Sequence, residues 1–507
     1  MEHQKNINTK FDTILDKYGT CVFKGSEEKG TLLKRMDELS GKTFSDITSM
    51  DDGKKRYWVD FVQQGGGVLG YALVGYTFVL EYAGIRFLRL AGTSAGAINT
   101  VFLAAIGEKN DPKSPELYDM IFNESRFDVK GFVDTKNILL RQLILRGKGL
   151  IRNFLGISLV LVLLMLFPLP WLSHTGNEGK VVYGIFTIAF LLWTGYLILL
   201  IKKFATNQFG INPGDKFEAF LERELAGFGI TSQQELDQKA KLKFSLNVAD
   251  KSYVCTGKSA IRLNLESEDV LRMGYDMLKT DYSFVTTDIY NECKIVLPKE
   301  VNLYFGESEA LKNNPARYVR SSMAIPFFFK PKIFETYTEK VDEEGSRNFL
   351  WETWKGIDVK NVKSHGILID GGSLSNFPIN LFHNSEISVP RFPIFGVRII
   401  DEKPVERTVR NGIETKDPMS FGAFIGQMIN TIRNNEDNSF LAINPFYKKY
   451  CISEIKVYRT EISWLNFNLT SKEKDALFLE GVEAALEFLE KFDWEEYKIQ
   501  RQNIKKN

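Results

Sequence analysis

A short glycine-flanked serine motif is the feature of this sequence with the clearest chemical use. It has the pattern G-x-S-x-G and consists of Gly92, Thr93, Ser94, Ala95 and Gly96. A short strand-like segment precedes it at residues 85–91, and a helix-like run follows at residues 97–106. A strand, a tight turn and a helix in this order predict a nucleophile elbow, in which the helix N-terminus favours a developing oxyanion. Because short patterns recur by chance, the motif by itself fits a simple glycine-rich turn equally well.

A glycine-rich segment lies shortly before the serine. It contains Gly65, Gly66, Gly67 and Gly70. Consecutive glycines leave backbone N–H groups unshielded, so these groups can point at a phosphate or at an oxyanion. A nucleotide-binding loop is not predicted, because G-x-G-x-x-G is absent and residues 69–71 stand where a phosphate-binding loop needs its lysine.

A third segment ends in a carboxylate and two glycines. Residues 367–369 predict a buried strand that leads into Asp370, Gly371 and Gly372, although an Asp-Gly turn is common. A serine triad would need a histidine beside the serine. The chain has only His3, His174, His365 and His383. His365 is about 16 Å along the strand from Asp370 at ~3.3 Å per residue, and nothing around His383 marks a site, so the sequence favours a base other than histidine.

These three motifs, in this order, resemble the patatin-like phospholipase family. Residues 284–288, 320–329 and 376–378 are also similar to bacterial members, and the resemblance covers roughly residues 60–490 apart from one insertion. Since the family uses a serine–aspartate dyad, the resemblance implies that Ser94 is the nucleophile and Asp370 its base. It further implies an oxyanion loop of Gly65, Gly66, Gly67 and Gly70, an elbow with Gly92 and Gly96, an Asp-Gly-Gly motif completed by Gly371 and Gly372, and no metal or cofactor. Leu69 stands where many relatives have a basic residue, which removes some positive charge near the oxyanion.

Composition and charge bound the remaining possibilities. The chain has 507 residues, of which 44% are hydrophobic, so it can bury a sizeable core. Its net charge of +1 gives no whole-chain field that would favour nucleic acid. Four cysteines without C-x-x-C spacing argue against a zinc site and a disulfide framework, and they suit a reducing compartment. The polar N-terminus predicts no secretory signal peptide.

Two long uncharged segments interrupt the predicted enzyme. Residues 154–172 and 181–201 comprise 19 and 21 residues without a charge, and each can cross ~30 Å of hydrocarbon at 1.5 Å per residue. The link between them is short and polar, and basic residues flank both outer ends: Arg141, Arg146, Lys148, Arg152, Lys202 and Lys203. This pattern predicts a transmembrane helical hairpin with the catalytic domain and both termini in the cytoplasm. Buried core helices, a dimerisation hairpin or a hairpin that enters one leaflet remain alternatives.

Strands that alternate with helical runs predict an α/β fold. The resemblance implies a patatin-like three-layer fold with a mostly parallel central sheet, here carrying the inserted hairpin. Strands are predicted at residues 243–248, 284–287, 366–369 and 394–400, and helices at residues 215–226 and after the capping box of Thr470 and Glu473. The predicted divisions are a polar N-terminal arm at 1–58, catalytic segments at 59–136 and 209–390, the hairpin insertion at 137–208 and a C-terminal extension at 391–507.

The sequence therefore predicts a membrane-tethered serine lipid acyl hydrolase. The resemblance implies phospholipase A or lysophospholipase activity, with the phospholipid bilayer and a fatty-acyl ester as partners. A neutral-lipid lipase or an acyltransferase of the same chemistry stays an alternative, as does a signal-gated membrane effector with a latent phospholipase domain. A homo-oligomer and an unidentified activator are also left open.

Overall fold

The computed structural model describes most of the chain outside the first predicted membrane segment. The described residues are 2–146, 163, 176–206, 208–241, 247–248, 254–255, 261–262, 282–337, 340–341, 347–348, 350–383, 390–401, 403 and 421–504.

A central β-sheet forms the body of the protein. Within the described residues the strands are β1 Ile47–Asp51, β2 Lys54–Gln63, β3 Ile85–Thr93, β4 Asn247–Val248, β5 Val254–Cys255, β6 Ile261–Arg262, β7 Tyr282–Asp288, β8 Cys293–Leu297, β9 Lys332–Glu335, β10 Lys340–Val341, β11 Arg347–Asn348, β12 His365–Asp370, β13 Ile394–Ile399 and β14 Ile452–Ile455. The main path of the sheet is β14-β13-β2-β3-β7-β12-β9, with β1, β4 and β8 joined at its sides. Every residue of β3 and β7 is buried, so both faces of the sheet are covered at its centre.

The direction of the strands corrects the expectation of a mostly parallel sheet. The five strands β14, β13, β2, β3 and β7 run parallel, whereas β12, β9, β8 and β1 pair antiparallel with their neighbours. The sheet is therefore mixed. The reversal has a structural consequence, because β12 approaches β3 from the opposite direction and carries Asp370 at its end.

Helices cover the sheet and connect its strands. Their bounds in the described residues are α1 Glu2–Tyr18, α2 Leu32–Glu38, α3 Tyr71–Tyr82, α4 Ala95–Ala105, α5 Ser114–Phe122, α6 Ile138–Arg146, α7 Asn177–Thr206, α8 Asp215–Gly227, α9 Gln233–Ala240, α10 Glu307–Lys312, α11 Ala316–Ser322, α12 Leu350–Lys355, α13 Phe421–Ile443, α14 Pro445–Tyr450, α15 Ser471–Lys491 and α16 Trp494–Ile504. The predicted capping box is present, because Thr470 accepts from the Glu473 N–H and the Glu473 carboxylate accepts from the Thr470 N–H. C-terminal to this cap, the apolar side of α15 packs on α3 in the main core.

The N-terminal arm packs on the body of the protein. The Tyr18 hydroxyl of α1 donates a hydrogen bond of 2.6 Å to Asp475, and Arg35 of α2 pairs with Glu490 at 2.6 Å. Both acceptors belong to α15. The strand β2 begins at Lys54 and crosses the predicted division at residue 58, while the other predicted divisions stay predictions.

One helix of the insertion is described. The helix α7 is the one helix in the described part of the chain that is long and apolar enough to span a bilayer, and no residue of its most apolar stretch is buried. The first predicted span, at residues 154–172, lies outside the described residues apart from Leu163. The described residues thus support a single candidate span, and the predicted two-span topology is not supported.

Candidate active site

Ser94 lies at a sharp turn between β3 and α4. Its backbone has φ +54° and ψ −120°, a conformation that costs a non-glycine residue on the order of 1–3 kcal/mol. Two glycines allow the chain to pass closely here. A β-carbon on Gly92 would lie 2.3 Å from the carbonyl of Gly96, and one on Gly96 would lie 2.4 Å from the carbonyl oxygen of Gln63. The turn therefore holds the serine hydroxyl at the N-terminus of α4.

Asp370 reaches Ser94 because two strands meet end to end. The strand β8 pairs with one edge of β7 over residues 284–288. Because β3 and β12 also pair with residues in this range, both must lie on the opposite edge of β7, one after the other. Thr93, the last residue of β3, stands opposite Val285, and Asp370, the last residue of β12, stands opposite Thr286. The two antiparallel strands thus end at adjacent positions, about 3.3 Å apart along β7.

The Asp370 carboxylate is buried and hydrogen-bonded. Its Oδ1 accepts from the Gly372 N–H at 2.7 Å. Burial raises the pKa of Asp370 above its ordinary value, and the Ser94 hydroxyl, the charge of Arg433 and the Gly372 N–H oppose that rise. The Ser94 Oγ also lies 3.1 Å from the Met323 sulfur. A carboxylate is a much stronger acceptor than a thioether, so a small rotation of the Ser94 hydroxyl toward Asp370 would be favourable.

The glycine loop lies against the elbow. A β-carbon on Gly65 would lie 2.9 Å from the Ser94 β-carbon, and one on Gly70 would lie 2.8 Å from that of Ala95. Gly67 has φ +55°, and a β-carbon added there would lie 2.4 Å from the carbonyl oxygen of Trp464. These contacts leave no room for a side chain at Gly65, Gly67 or Gly70.

The loop presents unpaired backbone donors. The Gly65 N–H donates to the Asn376 carbonyl at 3.1 Å, and the Val68 N–H donates to the Trp464 carbonyl at 3.1 Å. Between them, the N–H groups of Gly66 and Gly67 have no acceptor among the described residues. An anion beside Ser94 would satisfy such donors and would also meet the positive end of the α4 dipole.

An apolar cavity opens beside the serine. Its enclosed volume is about 50 Å³, and the empty space that continues from it into open solvent is about 550 Å³. The rim nearest the site is formed by Gly67, Gly70, Ala95 and Met323, and the interior is lined mainly by the apolar side chains Val74, Leu117, Ile121, Phe127, Phe132, Phe217 and Phe467. Such a lining can remove an acyl chain from water.

The segment after Asp370 is fixed by α13. Asp437 accepts from the Ser375 hydroxyl at 2.8 Å and from the Phe377 N–H at 2.7 Å, and burial raises the pKa of this carboxyl to about 6. Between these two residues, Asn376 donates from Nδ2 to the Gly65 carbonyl at 3.2 Å. The helix α13 therefore supports both Asp370 and the glycine loop.

Two histidines, His365 and His383, have contacts outside this site. The His383 Nδ1 lies 2.7 Å from the Tyr447 hydroxyl, and burial lowers the pKa of His383 to about 4. The ring of His365 packs on Tyr290. Within the described residues, no group of three or more His, Cys, Asp or Glu side chains could hold a metal ion.

The structure brings the residues of the three sequence motifs together. It adds residues that sequence reasoning did not assign to the site, namely Met323, Asn376, Arg433 and Asp437. Asn376 lies in a stretch that already resembled the family, but Arg433 and Asp437 lie far along the chain on a helix without a recognisable motif. Only the packing of α13 identifies them.

The fold and the site together define a class of protein: a mixed α/β domain with a buried serine at a strained elbow, a carboxylate beside it and a glycine loop against the serine. The family model for patatin-like phospholipase matches residues 61–383. The chain belongs to the patatin-like phospholipase family and is, at that level, a lipid acyl hydrolase.

Two individual proteins are also similar to this chain. The uncharacterized protein YqhO of Bacillus subtilis (strain 168) is 23% identical over 440 residues, which covers 86% of this chain and 100% of that protein. The crystal structure of VipD from Legionella pneumophila matches with a TM-score of 0.33 and 15% identity, covering 89% of this chain and 70% of that one.

Proposed function

We propose that this protein hydrolyses fatty-acyl esters of phospholipids with Ser94 as nucleophile and Asp370 as general base. The observation that carries the proposal is the position of the buried Asp370 carboxylate at the end of β12, directly beside the end of β3, where Ser94 is held at a strained turn. A nucleophile placed beside its base is the arrangement that covalent acyl transfer requires. Since the pKa of Asp370 is raised, this carboxylate is also a stronger base than an exposed aspartate.

The reaction proceeds through an acyl-enzyme. Asp370 takes the proton of the Ser94 hydroxyl while Oγ attacks the ester carbonyl carbon and forms a tetrahedral intermediate. The C–O bond to the glycerol side then breaks, and the leaving oxygen receives the proton from Asp370. Water next attacks the acyl-enzyme, gives its proton to Asp370 and releases the fatty acid as Ser94 regains its proton.

The oxyanion is stabilised by the glycine loop. The N–H groups of Gly66 and Gly67 have no acceptor among the described residues and directly follow Gly65, which lies against Ser94, so in this proposal they donate to the carbonyl oxygen as it gains charge. Donors that are fixed before the reaction stabilise this charge without reorganisation, and the N-terminus of α4 adds its dipole.

The apolar cavity supports a lipid substrate. It begins at the glycine loop and at Ala95, the residue after the nucleophile, and continues among aromatic and aliphatic side chains. An acyl chain that occupied it would place its ester carbonyl beside Ser94. Each buried methylene contributes about 0.8 kcal/mol, so the cavity would favour fatty-acyl esters over short ones.

Lipid profiling of the purified protein tests this function. The protein, in detergent, is incubated with a mixed phospholipid extract, and the products are followed by mass spectrometry. We expect free fatty acids and lysophospholipids to appear together. A profile that matches a buffer incubation would contradict the proposal, and transfer of the acyl group to an added alcohol in place of water would identify an acyltransferase.

We also propose that α7 attaches the enzyme to a bilayer. Its apolar side chains point outward, with Leu191 61% exposed and Leu192 70% exposed. A long helix that exposes such side chains needs cover from lipid or protein. Lipid is the consistent choice for an enzyme whose substrate lies in a bilayer, because attachment replaces a diffusive encounter with a local one.

Deletion of residues 154–201 should change how the protein is extracted. With a short flexible linker in their place, we expect the enzyme in the soluble fraction, while the full-length protein stays in the membrane pellet after an alkaline carbonate wash. A full-length Ser94→Ala variant serves as the control, because it should remain membrane-bound whatever the catalytic outcome. Release of the full-length protein by carbonate would assign α7 to contacts with protein.

A further inference from the structure

Arg433 is a cation that lies beside the proposed dyad. It is half-buried on α13. Its Nε lies 3.4 Å from the position that a β-carbon on Gly372 would occupy, and the Asp370 Oδ1 lies 2.9 Å from that same point. Within the described part of the chain, the guanidinium has no hydrogen-bond acceptor and no ion-pair partner. Its five N–H donors are therefore available next to the reacting groups.

The nearby carboxylates are already engaged. Asp437, one helical turn from Arg433, accepts from Ser375 and Phe377. Glu436 pairs with Lys294 and accepts from the Asn380 amide at 3.0 Å. These contacts fasten α13 to the body of the protein. Because residues four apart share a helix face, they also fix Arg433 over the Asp-Gly-Gly turn.

The outward side of the same helix is apolar. Phe424, Met428 and Ile432 are 56%, 46% and 54% exposed and are spaced four residues apart, so they form one stripe. Arg433 adjoins this stripe on the side toward Asp370. Among the described residues, the surface beside the site thus combines an apolar strip with the Arg433 guanidinium.

We propose that Arg433 binds the phosphate of the glycerophospholipid whose acyl ester is presented to Ser94. This inference rests on the proposed function and selects phospholipids over neutral acylglycerols. The phosphate and the acyl esters share one three-carbon glycerol, so an ester at Ser94 brings its phosphate to the edge of the site. A planar guanidinium matches phosphate oxygens in a bidentate manner. A neutral lipid that covered Arg433 would remove its water without offering an anionic acceptor, which is unfavourable.

Matched substrates isolate this interaction. Dioleoylphosphatidylcholine and dioleoylglycerol have the same acyl chains and no net charge, and both are presented in the same detergent mixed micelles. For Arg433→Gln we expect the ratio of kcat/KM for phosphatidylcholine to that for dioleoylglycerol to fall about 10- to 100-fold, as for loss of a charged hydrogen bond. Arg433→Lys should recover part of the ratio. Arg56→Gln, which removes an arginine paired with Asp51, should leave the ratio unchanged.

Equal losses on both substrates would show that Arg433 acts only through Asp370 and would overturn the proposal.

Activity of the wild-type protein on neither substrate would count against the proposed function, and a binding measurement then decides the role of Arg433. In the Ser94→Ala background, an ether-linked phosphatidylcholine should bind at least tenfold more tightly than in Ser94→Ala/Arg433→Gln. Equal binding in both backgrounds would overturn the proposal. Displacement of this lipid by millimolar inorganic phosphate would assign the site to a free anion and overturn the lipid assignment.

Discussion

Replacement of Ser94 by alanine is expected to abolish ester hydrolysis, with a loss of about 10⁴- to 10⁶-fold in kcat, because the acyl-enzyme cannot form. Asp370→Asn keeps the shape and the contact with the Gly372 N–H but cannot accept the serine proton. We expect a loss of about 10²- to 10⁴-fold, the usual contribution of a positioned base. Both are measured as initial rates on a phospholipid substrate, with the melting temperature as a check of folding.

His383→Ala is the control that identifies the base. His383 is bonded to Tyr447, away from the serine, so its removal should lower stability modestly and leave kcat near the wild-type value. If His383→Ala and Asp370→Asn lost activity equally, Asp370 would not be the base. An unchanged rate in Asp370→Asn would show that Ser94 and Asp370 do not form a catalytic dyad.

Gly67→Ala is expected to lower kcat by about 10²- to 10³-fold, the usual effect of losing one oxyanion donor. Gly67 has φ +55°, and an added β-carbon would lie 2.4 Å from the Trp464 carbonyl oxygen. The backbone must therefore shift and turn the Gly67 N–H away from Ser94. Gly66→Ala should have a smaller effect, because the φ of Gly66, −161°, suits any residue and an added β-carbon would press only on the Ile399 side chain, whose terminal methyl can move.

Gly53→Ala separates backbone strain from loss of the donor. Gly53 also has a positive φ, +71°, but a β-carbon there meets nothing within 4 Å, and the residue lies in the turn before β2. Alanine in this conformation costs roughly 1–2 kcal/mol, so both variants should lose stability while only Gly67→Ala loses turnover. Near-normal kcat in a folded Gly67→Ala protein would remove this N–H from the mechanism.

The helix α13 has two roles in the proposed mechanism, because it positions the backbone that follows Asp370 and it carries the residue proposed to bind the substrate phosphate. The same helix holds the Ser375–Phe377 backbone through Asp437 and presents Arg433 beside Asp370. A phospholipid that bound Arg433 would therefore contact the element that positions the base and, through Asn376, the glycine loop. This connection predicts that changes on α13 affect the rate as well as the affinity.

The local elements were readable from the sequence because each depends on the conformational preferences of a few neighbouring residues. The glycines around Ser94 permit the strained turn, and the turn is found where the pattern predicted it. The capping box of Thr470 and Glu473 and the helix predicted at residues 215–226 are likewise present. The strands predicted at residues 284–287, 366–369 and 394–400 are present as β7, β12 and β13.

The tertiary structure decided how these elements are combined. Asp370 meets Ser94 only because β12 runs antiparallel along the edge of β7 that β3 also uses, whereas a mostly parallel sheet was expected. The packing of the N-terminal arm on α15 and of Arg433 and Asp437 beside the site left no signal in the sequence. Strand order, strand direction and helix docking depend on burial summed over residues far apart in the chain. A local pattern fixes the conformation of a segment, but it does not record which distant surface covers it.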